Sequence, residues 1–199
     1  MAFEKMINYI SAQINWSAEE QKEFLLQCSV KTFRKGKVVL KASEPSDHLY
    51  FIHKGVLITT IIHSPQKQTV LYISLPGTFV TAWPSFLLIE PNNSLEIVAY
   101  KETECVVIPY TALNWLFEHT REGETFGKLL YQNQFTTLDK RVFIMYEKLL
   151  QNKYAAMLDL FPGIENHVSK KIISNFLGVS QEHLSRNYKT DILSPSTKL

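Results

Sequence analysis

The feature that most constrains this chain is a change of hydrophobic period partway along it. Between Val30 and Ile108 the apolar residues fall into runs, Val38–Leu40, Leu49–Ile52, Val56–Ile62, Val70–Leu75 and Glu96–Ile108, dominated by β-branched and aromatic side chains. Gly36, Glu44-Pro45-Ser46-Asp47, Lys54-Gly55, Ser64-Pro65 and Pro76-Gly77 punctuate them. Short strands at close, regular spacing with Gly and Pro turns predict an antiparallel barrel or jelly roll over residues 30–110.

After Pro109 the helical period returns. From Gly123 to Gln151 the chain has no Pro, and no Gly after Gly127. Tyr131, Phe135, Leu138, Val142, Met145 and Leu149 are spaced 4, 3, 4, 3 and 4 apart. That is a heptad seam, and its under-wound period suits two helices packed together. A second row, Leu130, Phe143, Ile144 and Leu150, is left to cover the chain's own domains. One helix with two apolar rows needs two partners, so the expectation is a homodimer along the seam. The plainer alternative is a single amphipathic helix lying on the barrel.

Both ends read as helical. Phe3, Met6, Ile7 and Ile10 recur on one helix face, and Ser17-Ala18-Glu19-Glu20 has the spacing of a capping box ahead of Phe24, Leu25 and Cys28. Phe161-Pro162-Gly163 ends the long helical pattern. Ser169 can cap a helix running to Leu177, Gly178 ends it, and Ser180 caps a second helix carrying Leu184. Ser174 is small where the second helix must cross closely, and Gly178 can take positive φ in the turn. With Ile173, Leu177, Val179 and Leu184 as a shared apolar seam, the pair is a helix-turn-helix candidate.

Composition removes several classes. At 199 residues, 45% hydrophobic and 20% charged, the chain can bury enough apolar surface to fold without staples. Two cysteines, Cys28 and Cys105, exclude a disulfide framework, a Cys-rich zinc site and a cluster held by four thiolates. Glu4 and Asn8 stand where a signal peptide needs an apolar core, and no run approaches the roughly 18 apolar residues of a membrane span. A cytoplasmic protein with no membrane partner is expected. Metal chemistry in the roll would need His and carboxylate ligands on one face, whereas His48 and His53, five apart, point to opposite faces of a regular strand. No metal, cofactor or catalytic residue is therefore assigned, and the chain is not expected to be an enzyme. The net charge of +2 lies entirely in residues 152–199, with 6 Lys+Arg against 4 Asp+Glu, while residues 1–151 balance at 15 each. A basic end on a neutral body permits phosphate contact.

The order of helix, β-roll, long helix and helix-turn-helix resembles the Crp/Fnr family of bacterial transcription regulators over residues 5–190. Arg34-Lys35-Gly36, Ala42-Ser43-Glu44-Pro45-Ser46-Asp47, Leu49-Tyr50-Phe51-Ile52, Gly55 and Pro76-Gly77 are similar to the first half of a cyclic-nucleotide-binding domain. Phe161-Pro162-Gly163-Ile164-Glu165-Asn166, Phe176-Leu177-Gly178-Val179-Ser180 and Leu184-Ser185-Arg186 are similar to the DNA-binding half of a Bacteroidetes-like branch. The resemblance implies an α+β fold in three parts. These are a roll domain with N-terminal helices (1–120), a dimerisation helix (121–151) and a short helix-turn-helix domain without a wing (152–199).

Three departures from the family pattern bear on function. Nucleotide-binding relatives follow Pro-Gly with a Gly-Glu pair and later an Arg-Ser/Thr pair, which hold the ribose hydroxyl and the cyclic phosphate. Thr81-Ala82 and Asn93-Ser94 take those places here, so cyclic AMP is not the expected ligand. An effector pocket would involve Phe79, Thr81, Ala82, Trp83, Asn93 and Ser94. Trp83 and Phe86 either fill core space or stack on another ligand. No N-terminal cysteine cluster and no identifiable axial histidine points to oxygen or haem sensing, so the effector is left open. Finally, Asn187 stands where an apolar residue usually follows Leu184, and Pro195 forbids further helix.

The resemblance implies two chains reading a roughly palindromic site on double-stranded DNA, with RNA polymerase as a further partner. Ser180 would contact phosphate, and Gln181, Glu182 and Arg186 would face base edges. Ser169, Lys170 and Lys171 would hold the backbone without reading sequence. The competing class is a ligand-binding or protein-interaction module of the same fold with a degenerate DNA-binding end.

Overall fold

The computed structural model describes residues 1–64, 66–88, 90 and 94–190, with backbone only for 187–190. It opens with α1 (Ala2–Ser11) and α2 (Ala18–Leu26). Met6 and Ile10 of α1 are fully buried, and the capping box forms at α2. The Ser17 hydroxyl accepts the Glu20 N–H at 3.1 Å, and the Glu20 carboxylate accepts the Ser17 N–H in return.

Eight strands follow: β1 (Ser29–Phe33), β2 (Val38–Leu40), β3 (His48–Lys54), β4 (Leu57–Ser64), β5 (Lys67–Ser74), β6 (Phe79–Val80), β7 (Leu95–Ala99) and β8 (Thr103–Pro109). They pair antiparallel in two four-stranded sheets, β1-β8-β3-β6 and β2-β7-β4-β5. Leu40, Ile52, Leu57, Ile97, Cys105 and Val107 fill the space inside the roll. The expected single run 96–108 is two strands in different sheets, because the chain crosses between them at residues 100–102. Thr103 fixes that corner: its hydroxyl accepts the Val56 N–H at 3.0 Å and donates to the Lys101 carbonyl at 2.8 Å. Gly55 packs flat on it, with φ of +91° and space so close that a Cβ would lie 2.4 Å from the Glu102 carbonyl oxygen. Only glycine meets both conditions.

The helices are α3 (Trp83–Leu88), α4 (Tyr110–His119), α5 (Gly123–Tyr146), α6 (Leu150–Leu160), α7 (Lys170–Leu177) and α8 (Gln181–Thr190), with a 3₁₀ turn at Ile164–Asn166. Phe24, Phe51, Phe86, Leu116 and Phe126 form one core among α1, α2, α4, the start of α5 and the outer face of the roll. Another joins Val56, Ile58, Val70 and Ile73 of the roll to Ile144, Met157, Ile173, Phe176 and Leu184 of the helical half.

The helix expected over 121–151 is broken. α5 stops at Tyr146, and Leu149 lies beyond it. Glu147 turns the chain: its carboxylate accepts the backbone N–H groups of Lys148 and Leu149 at 2.6 and 2.9 Å. Lys153 then takes the freed Met145 carbonyl at 3.3 Å. Two further assignments on α5 change. Tyr131, placed on the seam, instead packs inward, its ring edge-on to Trp83 and Phe117 at 6.1 and 6.3 Å. Phe143, placed on the inward row, is 57% exposed. Leu130, Ile144 and Leu150 are buried as that row requires, and Phe135, Leu138, Val142 and Met145 stand exposed.

Candidate functional site

Two regions can carry function, a cavity between roll and α5, and the helix pair α7–α8. The cavity measures about 500 Å³, within the size range of small-molecule sites. Thr59, Leu71, Tyr72 and Leu95 of the second sheet form one wall. Thr81, Trp83, Pro84 and Leu87 form another, and Tyr131, Gln134, Phe135 and Leu138 of α5 close the third. None of these described lining residues is charged. The Thr81 hydroxyl is spent within the protein, donating to the His48 carbonyl at 2.9 Å and lying 2.7 Å from Ser46 Oγ. Burial raises the Tyr72 phenol above its ordinary pKa, opposed by the nearby Arg141 charge and then by the Gln134 amide.

The six expected pocket residues separate. Thr81 and Trp83 line the cavity. Phe79 lines a neighbouring cleft of about 320 Å³ that also reaches Leu160, Phe161 and Pro162. Ala82 is fully buried in the roll core. Ser94 is exposed and not among the lining residues, and Asn93 lies outside the described residues. Sequence reasoning missed Thr59, Tyr72 and Gln134. Tyr72 shows there only as one member of an apolar strand, and Gln134 only as a polar interruption between two apolar rows.

In the helical half, α7 and α8 meet at Gly178, whose φ of +70° is left-handed. Its N–H donates to the Asn175 carbonyl at 3.1 Å, and the Val179 N–H to the Ser174 carbonyl at 3.0 Å. Ser174 is buried at the crossing, with Ile173, Leu177 and Leu184 between the helices. Ser180 caps α8, its hydroxyl accepting the His183 N–H at 3.1 Å. Gln181, Glu182 and Arg186 lie on the exposed face, as do Lys170 and Lys171 at the start of α7. The Glu182 carboxyl is held below its ordinary range by its own backbone N–H and the Ser180 hydroxyl, and further by Arg186.

Ser169 departs from expectation: it stands at the N-cap of α7, but its side chain makes no cap bond. Its backbone N–H is taken instead by the Tyr100 phenol of the roll at 3.1 Å. The side chain of Asn187 and residues 191–199, including Pro195 and the expected missing wing, lie outside the described residues. Among the described residues no three His, Cys, Asp or Glu side chains gather to hold a metal, and no helix is long and apolar enough to cross a membrane.

Residues 30–120 match the cyclic nucleotide-binding domain family. No curated protein matches the chain by sequence. Among solved structures, a protein from Eubacterium rectale described as a transcriptional regulator of the Crp/Fnr family superposes with a TM-score of 0.67 at 19% identity, covering 90% of this chain and 85% of that one. FixK2 from Bradyrhizobium japonicum superposes with a TM-score of 0.67 at 14% identity, over 81% and 82% of the two chains. The c-di-GMP-responsive global regulator CLP from Xanthomonas campestris gives 0.62 at 16% identity, over 85% and 89%. Residues 30–120 thus match the cyclic nucleotide-binding domain in sequence, and the described chain shares its fold with these solved structures, one of them described as a Crp/Fnr-family regulator.

Proposed function

We propose that this chain is a cytoplasmic transcription regulator of Crp/Fnr type that reads double-stranded DNA as a homodimer, with the effector open and cyclic AMP not the expected ligand. One observation carries this reading. α7 and α8 cross at a left-handed Gly178 with Leu184 buried between them, so Gln181, Glu182 and Arg186 are turned together to solvent. A helix so presented can enter a major groove, where Arg suits guanine, Gln adenine and Glu the cytosine amino group. Lys170 and Lys171, and the α8 N-terminus behind Ser180, would hold phosphates. Pairing through Phe135, Leu138, Val142 and Met145, exposed on the outer face of α5, would set two such helices about 34–36 Å apart on a roughly palindromic site.

The test is selection from random duplexes followed by point variants. Arg186→Ala is expected to cost about 1–3 kcal/mol on the preferred site and to relax one position of each half-site. Lys170→Ala or Lys171→Ala weakens all duplexes alike and flattens the salt dependence, because a phosphate contact carries no base information. If the wild type shows no preference among duplexes at any salt, the reading falls. The alternative then stands, a ligand- or protein-binding module with a degenerate DNA-binding end. It is favoured by the Glu182 carboxylate, one helical turn from Arg186 and held in its charged form, which offsets positive charge on the very face meant to meet DNA.

A further inference from the structure

Strand β5 is the outer strand of its sheet, and an outer strand leaves a row of unpaired backbone groups. Here the helical half takes three of them. Asn175 of α7 accepts the Val70 N–H at Oδ1, 2.6 Å away, and donates from Nδ2 to the Gln68 carbonyl at 3.1 Å. Arg141 of α5 donates from Nη2 to the Val70 carbonyl at 2.9 Å. The Asn175 amide therefore sits beside Thr69 in the place of a parallel-strand residue, its Oδ1 and Nδ2 standing for that residue's C=O and N–H, accepting from one N–H and donating to the carbonyl two residues back.

Arg141 adds a second and costlier contact. It is 2% exposed, its guanidinium carbon lies 4.0 Å from the Phe176 ring centroid, and its Nε and Nη1 have no partner among the described residues. Apolar side chains would seal this joint with less desolvation. Apolar contacts can slide, whereas hydrogen bonds to a strand edge fix direction and register. The same strand supplies Leu71 and Tyr72 to the wall of the 500 Å³ cavity, so β5 borders the cavity and the clamp together.

We infer that Asn175 and Arg141 are positioning residues, clamping α7 onto the edge of β5 and thereby setting where α8 stands relative to the roll. The consequence for DNA rests on the reading proposed above: in a dimer the clamp would fix the separation of the two reading helices and so the half-site spacing. Asn175→Leu keeps the branched shape of the side chain and removes the amide. Arg141→Met removes only the bond to the Val70 carbonyl and the stacked charge.

The test uses the full chain and two independent readouts. In the wild type, the Val70 amide must exchange its hydrogen about as slowly as amides inside β4. Asn175→Leu should speed Val70 exchange by about tenfold or more while β4 amides hold, and Arg141→Met should speed it less. On duplexes with half-sites moved apart by roughly one to three base pairs, the wild type should lose about tenfold away from one spacing. Asn175→Leu should flatten that dependence yet still bind a lone half-site. A Val70 amide that exchanges freely in the wild type overturns the clamp without any variant, and so does Val70 exchange unmoved in Asn175→Leu. A wild type with slow Val70 exchange but no DNA preference leaves the clamp standing and removes only the DNA reading.

Discussion

Arg141 of α5 and Phe176 of α7 meet as cation over ring, 4.0 Å from guanidinium carbon to centroid. Burial lowers the arginine pKa to about 10, still far above neutrality, so the charge persists at the joint. A desolvated cation–π contact contributes about 2 kcal/mol, against a desolvation penalty of several kcal/mol. Arg141→Met is therefore expected to move stability by no more than about 2 kcal/mol in either direction. Phe176→Ala, which empties a fully buried site, should lower it by about 3–5 kcal/mol. Urea unfolding followed by circular dichroism measures both, and equal losses would contradict this division.

The outer face of α5 yields a second prediction. Phe135 is 72% exposed, and Leu138, Val142 and Met145 stand out beside it. Leu138→Glu or Val142→Glu would bury like charges across a two-fold seam, a cost of several kcal/mol to association. Because both side chains are exposed within one chain, the variants should fold with unchanged helix content yet sediment as monomers. A wild type already monomeric at micromolar concentration would refute the pairing.

Cyclic AMP and cyclic GMP are expected not to bind usefully. No described residue lining the cavity is charged, and the Thr81 hydroxyl is already committed to His48 and Ser46. Two missing charge-assisted bonds, about 1.5–3 kcal/mol each, correspond to roughly two to four decades of affinity. Titration calorimetry decides the matter, since a micromolar dissociation constant for either nucleotide is incompatible with this pocket.

Burial pushes both thiols, Cys28 and Cys105, up to about 12. The thiolate is the reactive form, so neither should react with a thiol reagent at pH 8 in the folded protein, whereas both should after unfolding. The sign follows from the folded value lying above the unfolded one. The stabilising contribution is complete below about pH 8.5 and falls away as the pH climbs toward 12. Rapid native labelling of Cys105 would show that the roll opens.

Much of the local structure was legible in the residues. The Ser17–Glu20 box, the strand runs cut by Gly55 and Pro76-Gly77, the stop at Phe161-Pro162-Gly163 and the turn at Gly178 each depend on neighbours a few positions away. The cavity was only partly legible. Thr81 and Trp83 could be placed because they sit beside the Pro-Gly turn. Thr59, Tyr72 and Gln134 come from three separate elements and converge only on folding.

Sequence alone thus determined the kind and order of elements, because period, caps and turn residues act over one or two turns of chain. Tertiary structure alone decided which faces are used. Tyr131 turns inward because Trp83 and Phe117 meet it there, and the helix breaks at Glu147 because its carboxylate captures the next two backbone N–H groups. Arg141, a charge in a helical stretch, reads as a solvated residue until β5, 71 positions earlier, supplies a carbonyl for it. Asn175 reads as an ordinary polar helix residue until Gln68 and Val70, more than 100 positions away, present a strand edge. Such pairings depend on the meeting of distant surfaces, which no local pattern encodes.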